Sequence, residues 1–284
     1  MPTAKIGPKE IRIGEHVTVG GAAPLFVIAG PCVIESEEHA LLMAREAKSI
    51  CAGLGLPFIF KASYDKANRS SLKSYRGPGL KKGLAILRRI KQELGVAVLS
   101  DVHETSQVEP AAEVLDVIQI PAFLCRQTDL IVAAARTQKP LNLKKGQFLS
   151  PQEMRNAVDK ALAQGNDRLM LTERGTFFGY NSLVFDVRSV PLMKQWGFPV
   201  VLDATHIVQR PGGRGEASGG EAEFIPLMVR AGAAAGVDGL FLEVHDHPEK
   251  ALSDGFNSLI INKLEDVLKS ALRIIQAVRE DNSD

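Results

Sequence analysis

Eight short apolar runs recur along the chain, and each stops at a polar, charged or turn-forming residue. The runs are PLFVIAG, PFIFK, VAVLSD, VIQIP, LNLKK, LMLTER, VVLDATH and GLFLEVH. They lie about 20 to 40 residues apart with helical patterns between most of them, as in repeated βα units. Eight such units predict an α/β fold of the (β/α)8 TIM-barrel type, whose reactive side chains lie at the carboxyl ends of the strands. The stops are therefore expected at one mouth: Cys32, Lys61, Asp101, Pro121, Lys144, Glu173, His206 and Glu243.

The 284 residues fit a single barrel domain, residues 1–284, with the barrel at about 25–280. Ahead of it, IRIGEHVTVGG at about 11–21 alternates apolar and polar residues, which predicts a short N-terminal β-hairpin capping the amino end of the barrel. The sequence SPQE at 150–153 combines an N-cap serine, a proline at the first helical position and a capping-box glutamate, and Gly165 is the expected stop. The apolar face from Ile261 to Val278 predicts the last helix.

Charge and cysteine content exclude several classes of protein. With 34 basic and 33 acidic residues the net charge is +1, so no general attraction to nucleic acid or anionic membrane is expected. Three scattered cysteines do not form a disulfide framework, and this favours a reducing cytoplasm. The segment MPTAKIGPKE has no apolar stretch of signal-peptide length, and no run approaches the roughly 18 apolar residues that span a bilayer. We therefore expect a soluble cytoplasmic protein.

A basic cluster follows the second strand. Residues 60–79, FKASYDKANRSSLKSYRGPG, are rich in lysine, arginine and serine, a composition that alone is typical of a solvated loop. Lys61, however, directly ends a strand, and Arg69 offers a planar guanidinium beside the hydroxyl of Ser70, which suits a dianionic phosphate. More cations follow other strands, although each alone is commonly a core ion pair: Arg126, Lys144, Lys145 and Arg174. Together they predict a substrate, or two substrates, with several negative charges.

Four metal-binding residue types are expected to meet at the same mouth. His206 and Glu243 end strands seven and eight, Cys32 lies in the turn GPC after strand one, and Asp254 lies in the loop that follows strand eight. Since strand eight pairs with strand one in a closed barrel, these residues become neighbours. A lone cysteine is more often an inert core residue. A mixed thiolate, imidazole and carboxylate set suits zinc or ferrous iron, with manganese as a third choice.

The remaining polar groups near strand ends have less certain roles. His103, after the third strand, is the favoured substrate contact. The others either orient ligands or close hydrogen bonds at the bases of loops: Asp203, Glu104, His245, Asp246 and His247.

At these positions the sequence resembles the 3-deoxy-D-manno-octulosonate 8-phosphate synthases from about residue 25 to 280. The matching segments are DKANRSS with SYRGPG, QIPAFLCRQTDL, LKKGQF, TERGTFFGYNSLVFD, DATH, and the E-x-H and SDG segments. The resemblance implies condensation of phosphoenolpyruvate with D-arabinose 5-phosphate in lipopolysaccharide precursor synthesis. The related heptulosonate 7-phosphate synthases have Lys-Pro-Arg-Thr-Ser where this chain has KANRS at 66–70, which favours the octulosonate enzymes.

The resemblance also implies roles for individual residues. Lys61, Lys66, Lys144 and Arg174 would bind phosphoenolpyruvate, whereas Asn68, Arg69, Ser70 and His103 would hold arabinose 5-phosphate. Arg126 would complete a phosphate site across a subunit boundary, which implies a homotetramer. The cysteine of GPC is similar to the metal-dependent class, with Cys32, His206, Glu243 and Asp254 as ligands. Lys61, Lys144, His206 and Asp254 are the expected catalytic residues.

Three alternatives remain open from the sequence. The first is a 3-deoxy-D-arabino-heptulosonate 7-phosphate synthase, which shares the barrel and the cysteine-type metal site. The second is a Schiff-base aldolase, because Lys144 ends a barrel strand where such a nucleophile can lie. The third is a regulatory protein that binds sugar phosphates without turnover.

Overall fold

The eight apolar runs fold as parallel strands of one closed sheet. The computed structural model describes residues 8–15, 17–69, 71–177, 182–210 and 219–281. Each barrel strand pairs with the next, and the last pairs with the first, which confirms the predicted TIM barrel. The barrel strands are β3 (Phe26–Gly30), β4 (Phe58–Lys61), β5 (Ala97–Asp101), β6 (Val117–Ile120), β7 (Leu141–Lys144), β8 (Leu169–Glu173), β11 (Val200–Asp203) and β14 (Gly239–His245).

The predicted hairpin closes the amino end of this barrel. Strands β1 (Ile11–Ile13) and β2 (Val17–Val19) pair antiparallel, and their four apolar side chains are buried. They pack in one cluster with inward-facing strand residues such as Phe26 and Met170. A second apolar cluster lies between the sheet and the helices. Since apolar side chains fill the amino end, polar chemistry is confined to the carboxyl end.

Helices connect the strands and cover the outside of the sheet. They are α1 (Glu37–Gly53), α2 (Leu80–Leu94), α3 (Val108–Ala112), α4 (Thr128–Arg136), α5 (Met154–Leu162), α6 (Ser189–Lys194), α7 (Ile225–Ala234) and α8 (Leu264–Asp281). The capping box forms as predicted, because Ser150 N donates to Glu153 Oε2 at 2.8 Å and Glu153 N to Ser150 Oγ at 3.3 Å. The residues after the serine form turns, however, and α5 begins only at Met154. Ile261 likewise precedes α8, in a short 3-10 helix over Ile261–Lys263.

Short strands extend the loops at the carboxyl end. β9 (Thr176–Phe177) pairs with β10 (Leu183–Val184), β12 (Gln209–Arg210) pairs with β13 (Gly219–Gly220), and β15 (Leu259–Ile260) adds to β14. Residues 211–218 of the glycine-rich segment 211–220 lie outside the described residues, as does Ser70. In the described part of the chain, no helix combines the length and apolar character needed to cross a membrane.

Candidate active site

A cavity of about 740 Å³ opens at the carboxyl end of the barrel. Its lining contains most of the residues that the sequence predicted for the site: Lys61, Lys66, Asn68, Arg69, His103, Lys144, Arg174, His206 and Asp254. They come from six different strand-to-helix connections, which is why they are dispersed in sequence. The structure therefore brings most of the predicted cations to the mouth that also holds the predicted metal ligands.

The four predicted metal ligands are neighbours. Asp254 Oδ2 lies 3.3 Å from Cys32 Sγ and 3.9 Å from His206 Nε2, and the latter lies 3.7 Å from Glu243 Oε1. Strand pairing causes this proximity, because Glu243 on β14 stands opposite Gly30 on β3. Bonds of about 2.0 to 2.3 Å in a tetrahedral site place donor atoms about 3.3 to 3.8 Å apart. The donor atoms of Cys32, Glu243 and Asp254 all lie within 4.8 Å of one another, and His206 Nε2 lies within 3.9 Å of both carboxylates, which is close to the spacing that such an ion needs.

The electrostatics of the cluster also fit a cation. Burial raises the pKa of the Cys32 thiol, and the charges of Asp254 and Glu243 raise it further. Burial opposes ionisation of Glu243 too, but His206, Lys61 and Lys66 hold its pKa below the usual range. Its Oε2 atom is buried and has no hydrogen-bond partner among the described residues. A divalent metal ion would stabilise the thiolate and give this oxygen a partner.

Two lysines lie beside this cluster. The Lys61 ammonium donates to Cys32 O at 2.9 Å and to Glu243 Oε1 at 3.1 Å. Lys66 Nζ lies 3.8 Å from the same glutamate oxygen. Both lysines are buried and line the cavity, so their positive charge faces any anion that enters.

Asp203 connects the lysine of β7 to the predicted histidine ligand. Lys144 Nζ donates to Asp203 Oδ2, and His206 Nδ1 lies 2.7 Å from the same oxygen. The other oxygen of Asp203 accepts from His206 N at 2.9 Å and from Thr205 Oγ1 at 3.1 Å. This carboxylate therefore orients the imidazole so that Nε2 faces Glu243 and Asp254. Burial lowers the pKa of Lys144 to about 8, although the charge of Asp203 opposes the shift.

Two arginines present unused donors. Arg69 Nη1 lies 3.5 Å from Asp254 Oδ1, and Arg174 Nη2 donates to Gln209 Oε1 at 3.3 Å. Arg69 Nε and Nη2 and Arg174 Nη1 are buried and have no hydrogen-bond partner among the residues that the structure describes. A buried polar group without a partner costs about 1 to 3 kcal/mol. These donors are thus suited to an anionic ligand in the cavity.

His103 is held by a buried carboxylate. Its Nε2 lies 2.9 Å from Asp101 Oδ2, and Ser63 Oγ donates to Asp101 Oδ1 at 2.5 Å. Burial alone would lower the pKa of His103, but the hydrogen bond and charge of Asp101 outweigh it and raise the pKa. The imidazole therefore adds positive character to the cavity wall.

Residues 5–279 match the model of the DAHP synthetase I family. The chain belongs to that family. Among its relatives are proteins named 2-dehydro-3-deoxyphosphooctonate aldolase from Geotalea daltonii, Pelobacter propionicus and Geobacter sulfurreducens, which are 58%, 58% and 56% identical to it. Each alignment covers 95% of this chain and 98% of the relative.

Not every predicted residue of this DAHP synthetase I family member reaches the cavity. Arg126 is exposed and lines a separate surface pocket with Cys125 and Lys160. Lys145, which we counted among the cations of the mouth, is buried elsewhere and lies 3.4 Å from Glu173 Oε1. Successive strand residues point to opposite faces, so Lys144 and its neighbour cannot both face the mouth.

Two residues of the site were not identified from the sequence. Asp203 was left undecided, although its position three residues before His206 was the available signal. Ser253 was not considered, and its Oγ lies 2.8 Å from Cys32 Sγ. Only the fold brings Ser253 to Cys32, just after β3, because the two residues are 221 positions apart in sequence.

Proposed function

We propose that this protein condenses phosphoenolpyruvate with D-arabinose 5-phosphate to give 3-deoxy-D-manno-octulosonate 8-phosphate and phosphate, in lipopolysaccharide precursor synthesis. The observation that carries the proposal is the set of buried cations with unused donors, above all Arg69 and Arg174, directly beside the cluster of Cys32, His206 and Asp254. The relatives named 2-dehydro-3-deoxyphosphooctonate aldolase support the same reaction. The heptulosonate alternative is not favoured.

In this reaction carbon 3 of phosphoenolpyruvate attacks the aldehyde carbon of the sugar. Water adds at carbon 2, and phosphate leaves with its carbon–oxygen bond broken. Positive charge develops at carbon 2, and the leaving group is a dianion, so fixed charges must stabilise both anionic groups of the substrate. Lys61, Lys66, Lys144 and Arg174 are positioned to hold the carboxylate and phosphate of phosphoenolpyruvate. Holding both substrates in one cavity makes the attack effectively intramolecular.

The sugar phosphate is assigned to a second set of residues in the same cavity. Asn68, Arg69 and His103 line it, and Ser70 completes the predicted set outside the described residues. The Arg69 guanidinium offers two buried donors for bidentate phosphate binding. His103, held by Asp101, is placed to donate to the sugar.

Cys32, His206, Glu243 and Asp254 would hold a divalent transition metal, with zinc or iron as first choices and manganese as the third. Such an ion supplies Lewis-acid polarisation of the aldehyde and its neighbouring hydroxyl, or lowers the pKa of the water that adds. Asp203 keeps His206 in the orientation that ligation needs. Lys61, which donates to Glu243, and Asp254, one of the four ligands, both line the cavity in which the reacting groups would be held.

The proposal is tested by incubating the metal-loaded protein with both substrates. We expect one phosphate released for each phosphoenolpyruvate consumed, together with an eight-carbon product. Neither should form when arabinose 5-phosphate is omitted. Tight binding of both substrates without phosphate release would instead support a regulatory protein and contradict the proposal.

A Schiff-base aldolase is the second candidate, because burial lowers the pKa of Lys144 to about 8 and this favours a nucleophilic amine. The ion pair with Asp203 argues against it, since it keeps the ammonium protonated. Borohydride added to protein with pyruvate or sugar phosphate should leave no covalent adduct at Lys144. Mass spectrometry that finds the reduced adduct there would establish the aldolase.

Replacing Arg69 by alanine should selectively weaken the binding of arabinose 5-phosphate. Loss of a charged hydrogen bond costs about 1.5 to 3 kcal/mol, so the KM for the sugar phosphate should rise about 10- to 150-fold. Arg76→Ala is the matched control, because Arg76 lies in the same loop but forms an exposed pair with Asp65. Equal increases in the KM of both substrates would contradict the assignment of Arg69.

We also propose a cytoplasmic homotetramer in which Arg126 completes the phosphate site of a neighbouring chain. Its exposure at a position outside its own cavity supports this role. The exposed Phe123 beside it offers apolar surface for the contact. Light scattering should give the mass of four chains.

A further inference from the structure

The loop after β14 presents Asp254 in an unusual backbone conformation. Asp254 has φ of 50° and ψ of 30°, in the left-handed region that non-glycine residues occupy only when their surroundings hold them there. The loop is tightly folded, since a Cβ on Gly255 would lie 2.1 Å from Pro248 O. Contacts outside the cavity must therefore maintain the position of this predicted ligand.

Two buried or half-buried side chains make such contacts. Glu35 Oε1 accepts from Leu252 N at 2.8 Å, two residues before Asp254. The same oxygen lies 3.3 Å from His245 Nε2, and His245 Nδ1 accepts from His247 N at 2.9 Å. The pair is thus bonded to the loop at both of its ends, and neither side chain lines the cavity.

The pair also lies close in sequence to two other predicted ligands. Glu35 lies three residues after Cys32, and His245 lies two residues after Glu243 on β14. One residue beyond Leu252, Ser253 Oγ lies 2.8 Å from Cys32 Sγ. A shift of the loop would move Ser253 and Asp254 away from the thiol together.

We propose that Glu35 and His245 are positioning residues that clamp the loop 246–255 and so hold Asp254 in place as a metal ligand. This inference rests on the metal site of the proposed function. It concerns residues that touch neither substrate.

The pair is not itself proposed as a metal site. The donor atoms of Glu35, His39 and His245 come within 4.8 Å of one another. His39 Nε2 also lies 3.0 Å from Asp246 Oδ1. Both ring nitrogens of His245 are, however, engaged, one with the carboxylate of Glu35 and one with a backbone N–H. No lone pair on that ring is left for an ion.

The test measures zinc affinity of the full-length protein by competition with a chelator, without substrates. Glu35→Ala should weaken zinc binding about 10- to 100-fold, as is typical when a group that supports a metal ligand is lost. Glu35→Gln keeps an oxygen that accepts from Leu252 N, so it should recover most of the affinity. The control is Glu37→Ala, two residues along, whose carboxylate pairs with Arg89 on the surface.

A double-mutant cycle separates positioning from general stabilisation. In an Asp254→Ala background, Glu35→Ala should cause no further loss of zinc affinity, because the clamp then has no ligand to position. The KM for phosphoenolpyruvate should change less than kcat, since Lys61 and Lys144 remain in place.

Three results with the variants would overturn the inference. They are additive losses in the cycle, equal behaviour of Glu35→Ala and Glu37→Ala, and a second zinc per chain that disappears with Glu35→Ala. A wild-type protein that binds no zinc would also overturn it. The proposed reaction has its own test, which is the release of phosphate. Conversely, the protein could bind zinc and show the expected coupling between Glu35 and Asp254 but have no turnover. That result would contradict the proposed function and would still support the positioning role of Glu35 and His245.

Discussion

Replacing Cys32 by serine should release the metal and reduce turnover at least about 100-fold. Loss of a group that only supports a metal ligand already lowers metal affinity or activity about 10- to 100-fold. Cysteine binds as a thiolate, and a neutral hydroxyl is a poor substitute for it. The barrel should still fold, since the Cys32 side chain forms none of the strand pairing around β3. Circular dichroism should therefore stay native while elemental analysis shows loss of metal.

Cys51→Ala is the matched control for this variant, because Cys51 is buried in α1 and lies outside the metal cluster. It should retain metal and turnover even if stability falls. Prolonged chelation of the wild type should reproduce the Cys32→Ser effect, and a divalent ion should reverse it. Full activity in a chelated, metal-free sample would contradict the role of Cys32.

Replacing Lys144 by methionine should reduce kcat/KM for phosphoenolpyruvate about 100- to 1,000-fold, the usual effect of removing one preorganised electrostatic group. The wild type should also lose kcat/KM as pH rises through about 8, where Lys144 loses its proton. The value of kcat/KM falls with rising pH because the Lys144 ammonium, which binds the anionic substrate, exists below the pKa and is lost above it.

Lys145→Met provides the control, because this neighbouring lysine is buried, pairs with Glu173 and does not line the cavity. Its loss should lower stability, since Glu173 is left without its charge partner. The decline in kcat/KM above pH 8 should remain in this variant. A Lys144→Met protein that keeps both wild-type kcat/KM and the same alkaline decline would contradict the assignment.

The sequence predicted the site well where strand order alone brings residues together. Cys32 and Glu243 meet because β3 and β14 close the barrel, and that follows from counting eight strands. Lys144 and Lys145 were not separated, because the sequence does not state which residue of the strand faces inward. In the structure Leu141 and Leu143 pack in the cluster between sheet and helices, so Asn142 and Lys144 face the inside of the barrel.

Contacts between loops were beyond the reach of the sequence. Glu35 and Leu252 are 217 residues apart, and neither falls in a pattern that pairs them. Asp254 was predicted as a ligand, but its left-handed conformation depends on these distant contacts rather than on its neighbours. Local pattern specifies the strands and their ends, whereas tertiary packing specifies how the loops present their side chains.

The most direct test of the central claim offers the metal-loaded protein two aldehydes in parallel, D-arabinose 5-phosphate and D-erythrose 4-phosphate, each with phosphoenolpyruvate. Phosphate release and the carbon count of the product are measured for both. The five-carbon aldehyde should be strongly preferred and should give the eight-carbon acid phosphate, as expected from the Asn68, Arg69 and Ser70 sequence. Equal or greater turnover with erythrose 4-phosphate would contradict the proposed function.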